Sequence, residues 1–437
     1  MGETNGTTNG THPPKLQVII VGGGITGLTA AIACKEKGFD VKVLEGLPQY
    51  AHVGAGLLIS SNASSVLCDM GLKEPLDKVG THMKRTLFFT HDKGQLLEEK
   101  TFHDAEAQLG APLWQIHRAD LHDVLLNKAS ELGVHLTMGA KVLSYNPDEP
   151  SLALEDGTVL KADIILAADG ELVPTGHGRS CMRYMGIGLP CPIPTGYRSR
   201  ARSALYGSQK ELRFSGYSAF RALIPRSNLD HDPELEALLD AKDQTTFVWI
   251  GEGNHVLVYP VRQGQWLNIV LNQPAIHTRG SNFVVQVDPA EIAEVYKGWN
   301  PTLTKVIQSL PKENVLEWKL CDLEPLESWV FPGGKIALLG DAAHAMLPSA
   351  AQGAGMGIED GACIAEILAR LTDRSQIPAA LMAYQDLRRP RCTYVVDSGR
   401  QNAKKWHEDN AKGGTVTDAI WDYDIKAESR RVPIETS

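Results

Sequence analysis

The chain has 437 residues, room for two or three domains, and its 43% hydrophobic and 22% charged residues are ordinary for a globular protein. Its net charge of −9 supplies no basic surface for nucleic acid and argues against an anionic membrane partner. No stretch approaches ~18 consecutive apolar residues, so no membrane span is expected.

The first residues, 1–14, are polar and rich in Gly, Thr and Asn. They cannot bury a core, and a disordered tail is expected there. They lack the apolar region of a signal peptide, and Gly6 stands where a myristoylation motif needs Ser or Thr. A cytoplasmic location is the expectation. The seven cysteines form no CxxC pair and no short framework, which reads as reduced, packed thiols.

Gln17 to Val21 is a short apolar strand, Ile25 to Lys37 a helix stopped by Gly38, and Asp40 to Leu44 a second strand ending at Glu45. This is a βαβ opening. Ala119 to Leu132 reads as an amphipathic helix, with Leu121, Val124, Leu125, Ala129 and Leu132 on one face. Asp156-Gly157 marks a hairpin, and Asp163 to Ala168 a buried strand that ends in Asp169-Gly170. The middle changes character. Ser218 to Pro225, Thr245 to Ile250, His255 to Val261 and Trp266 to Asn272 read as short strands of an antiparallel sheet, unlike the α/β flanks. The βαβ theme returns at Lys335, and Pro378 to Trp406 is a long helix. Residues 171–214 have no period of 2 or 3.6 and an excess of Gly, Pro and Arg, so an irregular segment is expected.

Two glycine-rich turns carry the chemistry. Gly22-x-Gly24-x-x-Gly27 joins a strand to a helix: tight turn, close approach of a pyrophosphate, close helix packing. The helix start offers free N–H groups to phosphates, and Glu45 is placed to bind ribose hydroxyls. In the second turn, Asp341 is read as ending a strand, where it can accept bonds from ribityl hydroxyls. Gly353, Ala354, Gly355 and Gly357 let the backbone approach a flat ring, and a helix beginning near Gly357 aims its positive end at that ring. The pair points to FAD rather than to a simple NAD dehydrogenase, which leaves the Asp341 loop unexplained.

GGGITGL with Glu45, IHRADLH, AADG and GDAAHAMLPSAAQGAGMGIEDG occur in an order that resembles the class A flavoprotein monooxygenases. The likeness is greatest to the salicylate hydroxylase-like branch and its fungal natural-product relatives. It implies an α/β fold with a Rossmann-like FAD-binding domain of the glutathione-reductase, para-hydroxybenzoate hydroxylase-like type. An inserted antiparallel-sheet substrate domain and a C-terminal helix complete it. The expected division is FAD-binding domain at 15–80, 111–170 and 318–375, and substrate domain at 81–110 and 215–317. The irregular segment covers 171–214 and a C-terminal helical region 376–437.

The resemblance implies that Arg118 reaches the FAD phosphates or ribityl chain, and that Gly54, Ala55 and Gly56 lie along the cofactor. It places Arg221 and Tyr259 at a substrate phenolate; from the residues alone, both could equally be partnered core groups. It implies NADPH or NADH and O2 as co-substrates and hydroxylation of a small electron-rich aromatic through a flavin C4a-hydroperoxide, in secondary metabolism. A decarboxylating salicylate-type hydroxylase and a non-catalytic flavin binder are the alternatives. A flavin halogenase lacks its WxWxxI segment here, and a squalene-type epoxidase its membrane anchor. Monomer or homodimer is expected, and no metal: His117 and His122 are not at ligand spacing, and His344 reads as structural.

One departure stands out. In the family, the Asp-Gly of Asp169-Gly170 is followed by a Ser and, three residues later, an Arg. Here ELVPTGHGR follows instead. That motif serves FAD and pyridine-nucleotide contacts, so nucleotide handling is placed in doubt.

Overall fold

The computed structural model describes residues 15–50, 55–102, 104–173, 193–207, 212–240, 244–275, 284–313, 315–407 and 418–434. The expected tail at 1–14 lies outside them.

A five-stranded parallel sheet forms the first layer. Its order is Ile336–Leu338, Ile164–Ala167, Gln17–Val21, Asp40–Glu45, His135–Met138. The central strands are near-continuous apolar runs because helices cover the sheet, as parallel sheets require. The helix Ile25–Glu36 is buried on almost every side, which suits its run of Ala, Leu and Ile. It lies against Arg118–Glu131 and, more closely, against Gly353–Leu368.

Glycine permits that second contact. A Cβ at Gly361 would lie 2.6 Å from Ala30 N, and one at Gly357 2.0 Å from Thr26 Oγ1. Gly340, at φ +58°, also faces Thr26, at 2.5 Å from its Oγ1. The two glycine turns are therefore in contact, with Thr26 between them.

The helix Gly353–Leu368 also carries a buried ion cluster. Arg388 and Arg391, from the long helix Ile377–His407, bind Glu359. Arg388 Nε donates to Asp360 Oδ1 at 2.7 Å, and both side chains are fully buried. Burial alone would raise the Asp360 carboxyl; the charges of His344 and Arg388 reverse this and hold it at about 2. Among the described residues His344, Asp360 and Cys392 also bring ligand atoms within 4.8 Å of one another. Arg388 sits on the same carboxylate, so the cation there is a guanidinium.

The second layer is an eight-stranded sheet. Its order is Val284–Gln286, Leu316–Leu323, Leu212–Pro225, Trp266–Pro274, His255–Val261, Thr245–Ile250, Arg85–Thr90, Leu96–Thr101. The four strands expected to be antiparallel pair that way; Arg85–Thr90 joins them parallel to Thr245–Ile250, so the whole sheet is mixed. Its second face packs on the helices Pro289–Val295 and Pro301–Gln308, through Val258, Ile269, Ile292 and Leu303.

The described parts of 171–214 are more regular than the composition suggests. Glu171–Val173 pairs antiparallel with Ile193–Arg198, a helix follows at Arg200–Tyr206, and a long strand starts at Leu212. Residues 174–192 lie outside the described residues. No helix among the described residues is long and apolar enough to cross a membrane.

Gly361→Ala tests the helix contact. The propensity gain of Ala over Gly is about 1 kcal/mol in a helix, but the added Cβ meets backbone that cannot rotate away. Overpacking costs about 1–3 kcal/mol, so a net loss of stability is expected in urea unfolding of the apoprotein. An unchanged or raised midpoint would show that the helices are not in close contact.

Candidate active site

The first turn is built by strand, glycine and helix start. Gly22 has φ +102°, and a Cβ there would meet Ala168 O at 2.4 Å. Gly27 does not face the cavity; a Cβ on it would lie 1.9 Å from Gly22 O, so it serves packing. The helix N-cap, Gly24, has no side-chain cap, and nothing lies within 4 Å of its Cβ position. Free N–H groups and open space together form a cradle for an anion. Glu45 accepts from Gly23 N and Leu47 N, each at 2.8 Å. Two residues to which the sequence assigns no role at the cofactor complete this end. His122 bonds Gly23 O at 2.7 Å, and the Tyr50 ring meets His122 edge-on at 4.4 Å.

The second turn differs in two details from the expectation. Asp341 opens a short helix, Asp341–His344, three residues beyond the end of the strand Ile336–Leu338. The long helix begins at Gly353, not near Gly357, because Gly353 to Met356 already form its first turn. Its N-cap, Gln352, has no side-chain cap bond. Asp360 Oδ2 accepts from Gly340 N at 2.8 Å and pairs with His344 Nε2 at 2.7 Å. The ion cluster therefore sets the turn that presents Asp341. The Asp341 carboxylate opens onto the cavity with protein on its other sides; burial raises its pKa, and the charges of His344 and Arg118 oppose this. Burial lowers the Arg118 pKa, and Asp341 opposes that in turn.

Both turns open into one cavity of about 1500 Å³. Gly22, Gly24, Glu45, Asp169, Asp341 and Arg118 line it, as do Gly353, Ala354, Ala55 and Gly56. Gly54 lies outside the described residues. The cavity's far wall is the mixed sheet, where Arg221 and Tyr259 both face it. Arg221 lies 5.8 Å from the centroid of the Trp318 ring. Burial raises the Tyr259 pKa, and the Arg221 charge works against this. Gly56 N donates to Asn268 Oδ1 at 2.8 Å, and a Cβ on Gly56 would lie 2.6 Å from the Tyr259 ring, so the layers meet here. Trp406, from the long helix, closes one side against His255 at 4.9 Å and Phe88 at 6.1 Å.

Asp169 has partners that the sequence reading placed nowhere near it. Ser199 Oγ donates to its Oδ1, and Ala201 N to its Oδ2 at 3.0 Å. Burial pushes this carboxyl up to about 6, and these hydrogen bonds limit the rise. Arg202 follows Ser199 by three residues and donates to Ala343 O at 3.2 Å and Glu324 O at 2.8 Å. The Ser and Arg missing after Gly170 are thus supplied from beyond the paired strands Glu171–Val173 and Ile193–Arg198. The Ser-x-x-Arg spacing at 199–202 was the signal that could have found them.

The sequence pattern of the FAD binding domain family matches residues 15–179 and 328–399, the stretches that carry both turns. The FAD-dependent monooxygenase OpS4 of Beauveria bassiana is 32% identical over 400 residues, covering 90% of this chain and 86% of that one. The chain belongs to the FAD-dependent monooxygenases. Salicylate hydroxylase of Pseudomonas putida is 27% identical, with 95% of this chain and 93% of that one covered. In fold, the chain is similar to CtdE solved with FAD and a substrate, at TM-score 0.80 and 24% identity, covering 95% of this chain and 97% of that one. The monooxygenase is therefore an oxidoreductase of the aromatic hydroxylase type with FAD as its cofactor. The open cradle at Gly24, the uncapped helix at Gly353 and the acceptors Glu45 and Asp341 fit that group.

The Asp169–Ser199–Arg202 contacts make a separate prediction. Deleting 171–196 joins Gly170 to Tyr197 and brings Ser199 and Arg202 close behind Asp169-Gly170, in the family order. The shortened chain is expected to fold and to bind FAD at least as tightly as the full chain, measured by flavin fluorescence quenching. Loss of FAD binding in a folded deletion variant would show that the segment itself supports the site.

Proposed function

We propose that the enzyme uses NADH or NADPH and O2 to hydroxylate an electron-rich, phenol-like aromatic in secondary-metabolite biosynthesis. The observation that supports this reading most is the shared cavity, which joins both glycine turns to the sheet face bearing Arg221 and Tyr259. Gly24 and its helix start would hold the pyrophosphate, Glu45 the ribose, and Asp341 with Arg118 the ribityl chain. The helix start at Gly353 would face the ring, where its positive end favours added negative charge. Bound FAD would supply the redox chemistry, taking electrons from the nicotinamide and passing one oxygen atom of O2 to the substrate.

The protein's own groups do the rest. Arg221 offers a cation and fixed N–H donors to a phenolate oxygen, which raises the ring's electron density by keeping it ionised. Tyr259 is buried with a raised pKa, so it stays protonated at neutral pH and acts as a hydrogen-bond donor, not as a base. The apolar wall formed by Val248, Leu257 and Val270 limits water at the reacting ring.

Arg221→Ala is expected to keep FAD and lose at least tenfold in substrate affinity, since a hydrogen bond to a charged group contributes about 1.5–3 kcal/mol. Nicotinamide oxidation should then run without hydroxylated product. A variant that loses FAD but keeps substrate affinity would contradict the placement of Arg221. Release of CO2 with product from a salicylate-type acid would favour the decarboxylating alternative.

A further inference from the structure

The strand register sets six cavity-lining side chains in one row across the sheet wall. Phe88 pairs with Val248, Val248 with Leu257, Leu257 with Val270, Val270 with Arg221, and Arg221 with Leu316. The two ends of the row differ. Leu316 pairs with Gln286, which is exposed on the edge strand Val284–Gln286. Arg221, Val270 and Leu257 are half-buried and face the cavity. Val248 and Phe88 lie on the same wall, yet they are only 1% and 2% exposed.

Trp406 accounts for the change. It stands on the last turn of the helix Ile377–His407 and packs with Phe88, Val248 and Ile250, and Leu257 borders this cluster. Its ring meets Phe88 at 6.1 Å and His255 at 4.9 Å, both edge-on. Both layers hold the helix in place. Arg388 and Arg391 bind Glu359 in the interior. Arg400, earlier on the same helix, donates through Nη2 to Asp322 Oδ2 at 2.7 Å, on the strand Leu316–Leu323. The indole is therefore fixed over the far end of the row. Between it and Arg221 two intervals of the row are apolar and open, at Val270 and Leu257. At the usual strand spacing they span about 10 Å. On one flank of this stretch Tyr259 meets Gly56 of the cofactor layer, so there is no room to spread that way.

We propose that Trp406 is the end stop of the substrate site, setting the length of the apolar group that a phenol held at Arg221 carries along Val270 and Leu257. This rests on the phenol hydroxylase reading above and adds a residue that selects among phenols by length. A short chain fits in the open stretch. A longer one meets the indole, which its own packing and the anchored helix keep from yielding.

The test uses the FAD-loaded enzyme and the para-alkylphenols from methyl to decyl, with dissociation constants from calorimetry. Each added CH2 that is buried should tighten binding about threefold to fourfold. The gain should stop part-way through the series, where the chain reaches Trp406. In Trp406→Ala, which uncovers Val248, the stop should move out by about four carbons, the span of one strand interval. In the milder Trp406→Phe it should move by fewer. Affinity that rises to decyl in the unchanged enzyme, or does not rise at all, overturns the proposal whether or not either variant folds. So does a stop at the same length in the folded variants, or an equal loss at every length, which is what a purely structural Trp406 would produce. If no alkylphenol binds, the phenol reading fails and the proposal falls with it. If they bind and the stop is absent or unmoved, only the role of Trp406 fails.

Discussion

The close approach of the helices Ile25–Glu36 and Gly353–Leu368 is the constraint on which the rest of the molecule depends. It brings together two turns that lie far apart in the chain, and it is possible only because Gly340, Gly357 and Gly361 present no side chain to Thr26 and Ala30. Buried charge then fixes the second helix. Glu359 and Asp360 would each be unfavourable alone in the interior; Arg388 and Arg391 make them tolerable, and removing one partner from such a pair costs about 3–5 kcal/mol. Asp360 passes that order on to Gly340 and His344, and so to Asp341. The route from core to cofactor site is short and made of named atoms.

The turns were legible because each makes a demand on the backbone that few residues meet. Gly22 stands at positive φ and against Ala168 O, so a glycine there reports geometry directly. The strands of the substrate layer were legible from their β-branched and aromatic runs. Their order was not: a parallel neighbour at Arg85–Thr90 comes from a distant part of the chain, and nothing local to either strand announces it.

Asp169 shows another limit. The residues immediately after it depart from the family pattern, which reads as a loss when the chain is followed residue by residue. In space, Ser199 and Arg202 stand where that pattern is needed, because the strands on either side of the excursion pair with each other. The contacts of Asp169 are therefore set by where the chain returns.

The central claim is that two distant turns form one dinucleotide site, with the first holding the ADP half and Asp341 the ribityl half. Calorimetric titration of the apoprotein with FAD and, separately, with ADP tests this directly, in the parent chain and in Asp341→Ala. One FAD per chain should bind, and the substitution should weaken FAD about tenfold or more, as loss of charge-assisted hydrogen bonds implies, while ADP affinity stays unchanged. Equal losses for FAD and ADP, or no loss for either, would contradict the division of the site between the two turns.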